Sequence, residues 1–420
     1  MVVGIIIGAS IFVQPSEINR HVPTIAGVLA VWAAGGLLSL FGALVCAELS
    51  SAFPETGGVY VYLKRTLSPA FGFLWGWAMF WSAHSGIIAA SSVVLARYVA
   101  FFVPLGDWGT RAVAIAAILV LSAVNYLGVR QGSGLQTWIT ASKLAAIVLL
   151  LAMAFALGHP AQASATTSAP PTLSFREFVL GVSAALFAFG GWHMVTYAAG
   201  ETSDPRQTIP RALLLGSLIV VCSYIALNAA YLYLLPIARV TASQRVAADA
   251  AQAVAGNSGA TIISALVILS ASGVLNGVIL AGPRTYYAMA EEGLSPRCLA
   301  AIHPRFHTPH RAIVAQGIWS AVLVATGTYR VLFTRVVYTE WLFFALMTWG
   351  LFRVRRSKDY APAWPIWGYP LVPLVFGLAA LVVAAIQIAA DPWQAAAGLA
   401  IVVLGLPVYY LWTRGARWAR

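Results

Sequence analysis

Hydrophobic residues run through this chain in long stretches, separated by short segments that carry most of the proline and charge. A stretch of roughly 20 apolar residues is long enough to cross a bilayer core as a helix. We predict twelve such helices, numbered here in chain order, at residues 1–20, 25–50, 70–103, 111–128, 134–157, 175–200, 208–236, 259–290, 311–328, 331–352, 369–390 and 394–413.

The composition supports the same interpretation. Of the 420 residues, 60% are hydrophobic and 9% are charged, and the mean hydropathy is +0.82. Soluble globular domains do not have this composition. The linkers are too short to hold a separate soluble domain, which argues against catalysis in a separate lobe. We therefore expect an all-α integral membrane protein.

Positive charge is distributed unevenly between the two sides of the predicted helices. Sixteen of the 25 Lys and Arg residues follow even-numbered helices, eight lie in the opposite loops, and Lys143 lies within a helix. The positive-inside rule then places both termini in the cytoplasm, with the protein in the plasma or inner membrane. The net charge of +12 follows from this bias, and we expect no nucleic-acid binding.

The start of the chain has no basic segment before its first apolar run, so no cleavable signal is predicted. The first helix itself would target the protein to the membrane. Only seven residues precede Gly8. We interpret this abrupt beginning as a late start site or a trimmed N-terminus.

Two helices contain glycine-rich weak points near the middle of the membrane. Helix 1 reads "GIIIGASIFVQP", with Gly8, Ala9 and Ser10, and helix 6 reads "FAFGGW", with Gly190 and Gly191. Glycine weakens a helix, and a weak point in each half of a chain indicates a transporter built from inverted repeats. Backbone groups freed at a break need polar partners, which a zwitterionic substrate supplies. Small residues also serve close helix packing, so the pattern alone leaves both interpretations open.

Lys143 is a second unusual feature. It lies about nine residues into helix 5, which corresponds to a depth of roughly 13 Å. An ammonium group so deep in a bilayer normally faces a protein or water-lined interior and marks an ion or proton path. The alternative is a lysine that reaches the membrane surface through a local water defect.

Several long motifs resemble one family. "IIIGASIFVQP" resembles the first helix of the amino acid–polyamine–organocation superfamily, and "AELSSAFPETGGVYVYLKRTLSPAFGFLWGW" is similar to its helix 2–3 segment. "FAFGGWHMVTYAAGETSDPRQTIPRAL" resembles the helix 6–7 signature of the L-type amino acid transporter branch, and "GVLNGVILAGPRTYYAMAEEGLSP" resembles its helix 8 segment. The motifs occur in the family's order and extend over nearly the whole chain.

The resemblance implies the leucine-transporter fold, with twelve transmembrane helices and discontinuous helices 1 and 6. Residues 1–157 would form the first inverted repeat, 175–352 the second, and 369–413 two further helices. Lys143 matches the lysine that occupies the place of a sodium ion between helices 1 and 8, so a sodium requirement is not expected. The implied substrate-binding residues are Gly8, Ala9, Ser10 and Ile11 in helix 1, and Phe187, Ala188, Phe189 and Gly190 in helix 6.

The individual roles also follow from the resemblance. Backbone N–H groups at positions 8–10 would bind the substrate carboxylate, and carbonyls around Ala188 would face its amino group. Phe187 would close over the substrate from outside. The family's Gly-Ser-Gly is Gly-Ala-Ser here, so Ser10 adds a hydroxyl that can intrude on the site or donate a hydrogen bond.

The implied function is secondary amino acid transport by alternating access. No Asp or Glu lies near the breaks in helices 1, 3 or 6, which favours neutral amino acids. Glu340 is a deep acid whose role is a gate, proton coupling or a polar contact between helices. His84 and His193 either form interhelical hydrogen bonds or line the pocket. A polyamine or organic-cation antiporter and a non-transporting membrane sensor remain alternatives.

Coupling and partners are less constrained by the sequence. Exchange is typical of the L-type branch, whereas Lys143 permits proton coupling. Branch members that pair with a single-span glycoprotein use a Cys after helix 3, and the loop "VPLGDWGTR" has none, so we expect no disulfide-linked heavy-chain subunit. The motifs GxxxxGK, HExxH and GxSxG do not occur, and we expect no cofactor, no bound metal and no enzymatic activity.

Overall fold

The computed structural model describes residues 2–8, 10–128, 132–160 and 174–418, and the regular structure in these ranges is helical. Ten helical segments of the described chain are long and apolar enough to cross a membrane. The interrupted first span and the ninth span, a helix of 17 residues at His310–Thr326, complete the twelve-helix architecture. The α-helices, numbered in chain order, are α1 (Val2–Ile6), α2 (Gln14–His21), α3 (Ile25–Ala52), α4 (Val59–Thr66), α5 (Pro69–Ala78), α6 (His84–Val99), α7 (Asp107–Tyr126), α8 (Gly132–Leu157), α9 (Phe175–Phe189), α10 (Pro205–Leu234), α11 (Ile237–Ala242), α12 (Val246–Glu291), α13 (His310–Thr326), α14 (Tyr329–Val354), α15 (Leu371–Ala390), α16 (Pro392–Val403) and α17 (Gly405–Trp418).

The structure differs from the predicted spans in detail. Predicted helix 3 contains a π-helical turn at Met79–Ala83, between α5 and α6. Predicted helix 8 begins at Val246 rather than at residue 259, because the alanine-rich segment before it is also helical, with a kink at Ala255 and Gly256. Helices α4 and α11 have eight and six residues, too short for a criterion based on membrane-spanning length to find them.

Helix α3 is packed against both parts of the sixth span. It contacts α9, α10 and the segment Trp192–Glu201 that follows the second break. A Cβ added at Gly36 would meet Val221 at 2.8 Å, and one at Gly42 would meet Trp192 at 2.7 Å. Small residues at such interfaces let membrane helices approach closely, which is how they gain packing energy in lipid.

A buried carboxylate fixes the end of α3. Glu48 accepts hydrogen bonds from Nε and Nη2 of Arg355 at 2.7 and 2.5 Å, from Oη of Tyr360 at 3.0 Å and from the backbone N–H of Ile366 at 2.6 Å. The hydrogen bond to Glu48 raises the pKa of Arg355, and burial raises the pKa of the Tyr360 hydroxyl, so both groups stay protonated as donors. This cluster ties α3 to the segment after α14.

Candidate functional site

The first span is interrupted where the sequence predicts a break. Helix α1 ends at Ile6, a 3₁₀ turn occupies Ser10–Phe12, and α2 begins at Gln14. Ala9 lies outside the described residues. Because the chain leaves the helix after Ile6, the last carbonyl groups of α1 cannot bond to a following helical turn. They need partners from other helices.

The sixth span breaks at the predicted glycine pair. Helix α9 ends at Phe189, Gly190 is extended, and Gly191 has a left-handed φ of 96°. Any other residue at 191 would be strained by this φ, and its Cβ would meet Ile5 of α1 at 2.9 Å. The chain then continues as a 3₁₀ helix over Trp192–Glu201. Glycine at position 191 therefore permits both the turn and the close approach of the two breaks.

Tyr224 of α10 joins the two breaks. Its hydroxyl donates to the Ile6 carbonyl at 2.9 Å and lies 3.3 Å from the Ala188 carbonyl. Its ring packs against Trp32 and Phe189, with centroid separations of 5.7 and 5.0 Å. Nothing in the sequence around Tyr224 indicates this role, because a tyrosine in an apolar helix does not show which carbonyl groups the fold will bring to it.

Lys143 of α8 completes the end of α1. Its Nζ donates to the carbonyl oxygens of Gly4 and Ile7, both at 3.0 Å, and the side chain is buried. It lines a small pocket whose wall also includes Ser270 of α12. Carbonyl groups freed at a break in a membrane helix can coordinate a monovalent cation. Because the ammonium is bonded inside the bundle, a lysine that reaches for the membrane surface does not fit the structure.

A small closed cavity lies between the two breaks. Its volume is about 30 Å³, room for roughly two water molecules. Its wall contains one ionisable side chain among the residues described, Glu340 of α14. The other wall residues are Ile5, Ile6, Gly8, Ser10, Ile87, Ser91, Phe187, Ala188, Gly190, Gly191, Met194, Val274, Val278 and Val336.

Glu340 and His193 form a buried pair at the edge of this cavity. Oε1 of Glu340 lies 3.9 Å from Nε2 of His193, and both side chains are almost completely enclosed. Within the described chain, Oε1 and both imidazole nitrogens have no hydrogen-bond partner. The rings of Trp75, Trp192 and Phe344 surround the imidazole at centroid separations of 5.6, 5.5 and 5.3 Å. These three atoms are therefore buried polar groups without a hydrogen bond in the described chain.

Three residues that the sequence analysis named for the pocket, Ile11, His84 and Phe189, do not line this cavity. His84 Nδ1 and Nε2 lie 3.0 and 3.3 Å from the hydroxyl groups of Tyr286 and Tyr197, so it links helices. Ile11 is buried in the 3₁₀ turn, and Phe189 packs against aromatic residues of α3 and α10. Consecutive residues at a break point in different directions, which is why only some of the implied positions face the cavity.

A larger vestibule lies on the side where α2 ends and α9 begins. Its volume is about 300 Å³. Phe333 belongs to the vestibule wall and Phe187 to the cavity wall, and their ring centroids are 5.5 Å apart. The two rings form a partition between the spaces. The charged or titratable residues along the vestibule include His21, Arg176, Glu177, Arg330, Arg335 and Asp391.

Ion pairs hold α2 against its neighbours beside the vestibule. Glu17 of α2 lies 2.9 Å from Arg20 and also pairs with Arg330 of α14. His21 Nδ1 lies 2.6 Å from Glu177 Oε2 at the start of α9. Almost all residues of the cavity wall are buried, so protein encloses the cavity in this conformation.

Two broken helices that meet at a closed central cavity, within a twelve-helix membrane bundle, define a secondary transporter of the leucine-transporter fold. The amino acid permease family model matches residues 1–406. The chain belongs to this family, and the resemblance found in the motifs is confirmed.

Known relatives align along nearly the whole chain. The serine/threonine exchanger SteT of Bacillus subtilis is 30% identical over 98% of this chain and 94% of its own length. The human large neutral amino acids transporter small subunit 2 is 30% identical over 98% of this chain and 78% of its own. The human cystine/glutamate transporter is 27% identical over 100% of this chain and 85% of its own. The amino acids in these three names differ in side-chain chemistry.

Proposed function

We propose that this protein is a sodium-independent secondary transporter that moves neutral amino acids by alternating access. The observation that carries the proposal is the meeting of two helix breaks, at Gly8 and Gly190, on the wall of one closed cavity. Polar backbone groups at membrane depth need partners, and the zwitterionic part of an amino acid supplies a carboxylate and an ammonium together.

The broken helices offer opposite partial charges to those two groups. The first turn of α2, preceded by Ser10, carries the positive end of a helix dipole and suits a carboxylate. The end of α9, at Phe187 and Ala188, carries carbonyl groups that suit an ammonium. The carbonyl groups at the end of α1 are already bonded by Lys143 and Tyr224. The substrate's amino group is therefore directed to the sixth span.

The contacts of Lys143 support sodium independence. A sodium ion at the same carbonyl groups would have to displace a cation that is covalently part of the chain. We expect equal transport rates in sodium and choline media of the same ionic strength. A strict sodium requirement would contradict this part of the proposal.

The cavity wall supports a neutral side chain, because most of it is aliphatic, including Ile87, Val274 and Val278. Glu340 is the one wall feature that favours the second candidate, a polyamine or organic-cation antiporter. A polyamine, however, has no carboxylate for the positive end of α2. Competition of putrescine with labelled alanine separates the two candidates: neutral amino acid transport predicts no competition.

The wider architecture is part of the same proposal. Residues 1–157 and 175–352 would be the inverted repeats, each opening with its broken helix, and residues 369–413 the two added helices. Both termini would be cytoplasmic, which places the vestibule outside. Because the loop after α6 contains no Cys, the chain would work without a disulfide-linked subunit.

Purified protein in proteoliposomes tests the function. Liposomes loaded with a mixture of unlabelled amino acids should take up labelled neutral amino acids without sodium. The same panel should be measured in empty liposomes and under a pH gradient, which separates exchange from net uptake. If no amino acid moves under any of these conditions, the transporter proposal fails and the sensor alternative gains support.

A further inference from the structure

The pair formed by Glu340 and His193 is not among the groups assigned above to the zwitterionic part of an amino acid. We propose that the cavity closes only when one positive charge lies beside Glu340. With a neutral substrate this charge is a proton held by the Glu340–His193 pair, and with a basic amino acid it is the cationic side chain. The inference rests on the proposed amino acid transport and adds substrate charge and proton coupling to it.

The size of the cavity supplies the first step of the argument. In the closed conformation it has room for roughly two water molecules, too few to solvate an ionised carboxylate. An unpaired ion in a dry interior costs far more free energy than a lost hydrogen bond. If Glu340 were ionised beside a neutral His193, the closed site would hold such an ion. One added proton, on either partner, makes the pair neutral overall.

The surroundings of His193 supply the second step. Its nitrogens have no hydrogen-bond partner in the described parts of the chain, and Glu340 is the one described carboxylate within 4 Å of them. Nε2 lies 3.9 Å from Glu340 Oε1, a small side-chain movement away from a direct hydrogen bond. The pair is thus built to share a single proton.

Other charged groups do not supply this charge. Helices α3, α4, α6, α9, α15 and α16 and the turn Met79–Ala83 pack against α14, yet apart from His193 no described Lys, Arg or His nitrogen lies within 4 Å of the Glu340 carboxylate. The Tyr197 ring lies 5.7 Å from the His193 ring, and its hydroxyl is 3.3 Å from His84. Lys143 is committed to the carbonyl groups of α1. The missing charge must therefore arrive with the substrate or from solution.

The proposal predicts a defined exchange stoichiometry. External lysine enters with its own positive charge, whereas internal alanine leaves together with one proton. Each exchange then moves equal charge in both directions, so it is insensitive to membrane potential, and it removes one proton from the lumen. Alanine exchanged for alanine carries a proton each way and produces no net pH change.

Proteoliposomes loaded with alanine and a pH-sensitive dye test this stoichiometry. Addition of external lysine should raise the internal pH as labelled lysine enters, and addition of external alanine should not. Lysine entry without internal alkalinisation would overturn the proposal. Alanine exchange without any lysine transport would also overturn it. Absence of both lysine and alanine transport would instead contradict the proposed function, so the two failures are distinguishable.

Variants of the acid sharpen the test. E340Q keeps the shape of the side chain but cannot be ionised, so the alanine exchange measured in this variant should no longer depend on pH. Its apparent affinity for lysine should fall by about tenfold or more. E340D, which keeps the charge, should retain lysine-driven alkalinisation, and E55Q makes the same chemical change at a solvent-exposed pair with Arg65. Unchanged lysine affinity in a folded E340Q protein would refute the assignment.

Discussion

Replacement of Lys143 by methionine tests the connection between this side chain and the first break. Methionine has a similar length but no hydrogen-bond donor, so the Gly4 and Ile7 carbonyl groups, each 3.0 Å from Nζ, lose their partner. A hydrogen bond to a charged group contributes about 1.5–3 kcal/mol. The two bonds together predict that the closed arrangement of α1 loses about 3–6 kcal/mol of stabilisation.

The expected result is a large functional loss in a folded protein. Even about 3 kcal/mol corresponds to more than about a 100-fold fall in the apparent affinity for alanine in exchange. The assay is the concentration dependence of labelled alanine exchange in proteoliposomes, with unfolding temperature in detergent as the check on folding. Lys358→Met is the matched control, because Lys358 lies exposed after α14 and should change neither measurement.

Chemical rescue adds a second line to the same test. In Lys143→Ala the shorter side chain leaves space near the carbonyl groups, and added methylammonium should restore part of the exchange. If Lys143→Met exchanged alanine with the rate and affinity of the unmodified protein, the reasoning from these two hydrogen bonds would be refuted.

Three further changes test other parts of the site. Phe187→Ala removes one ring of the partition, a packing loss of about 3 kcal/mol; we expect a higher KM for alanine exchange, and an unchanged KM would contradict the lid assignment. Tyr224→Phe removes the hydroxyl that bridges the breaks, a loss of about 1 kcal/mol that should raise KM roughly fivefold. Glu48→Gln removes the charge that pairs with the partly exposed Arg355 and should destabilise the protein by about 1.5–3 kcal/mol. This destabilisation is measured as a fall in unfolding temperature. The control variant Glu55→Gln should show no such fall, because Glu55 is exposed.

The features that could be predicted from sequence are residues that are unusual in a membrane helix. Gly190 and Gly191 are a pair of helix breakers inside an apolar span, and Lys143 is a charge at a depth where few partners exist. Both kinds of residue are conspicuous against 60% hydrophobic residues. Most helix boundaries could be predicted from the thickness of the bilayer alone, because it permits little variation in the length of a span.

The partners of these residues could not be predicted. Tyr224 and the carbonyl group of Ile6 are 218 positions apart, and nothing local to either indicates that they meet. The same holds for Glu340 and His193, which belong to different helices. Ile11 and Phe189 show the converse limit, since a motif identifies a stretch of chain while the backbone geometry decides which of its side chains line the cavity.

The partition between Phe187 and Phe333 separates two chambers of unequal size, about 300 Å³ on one side and about 30 Å³ on the other. An amino acid derivative with a bulky substituent can occupy the larger chamber while its substituent is excluded from the smaller one. Such a compound would lodge above the rings as a blocker that is never carried. Inhibitor design for this protein can therefore begin with the vestibule, where the size of a bound compound decides whether it remains there or is transported.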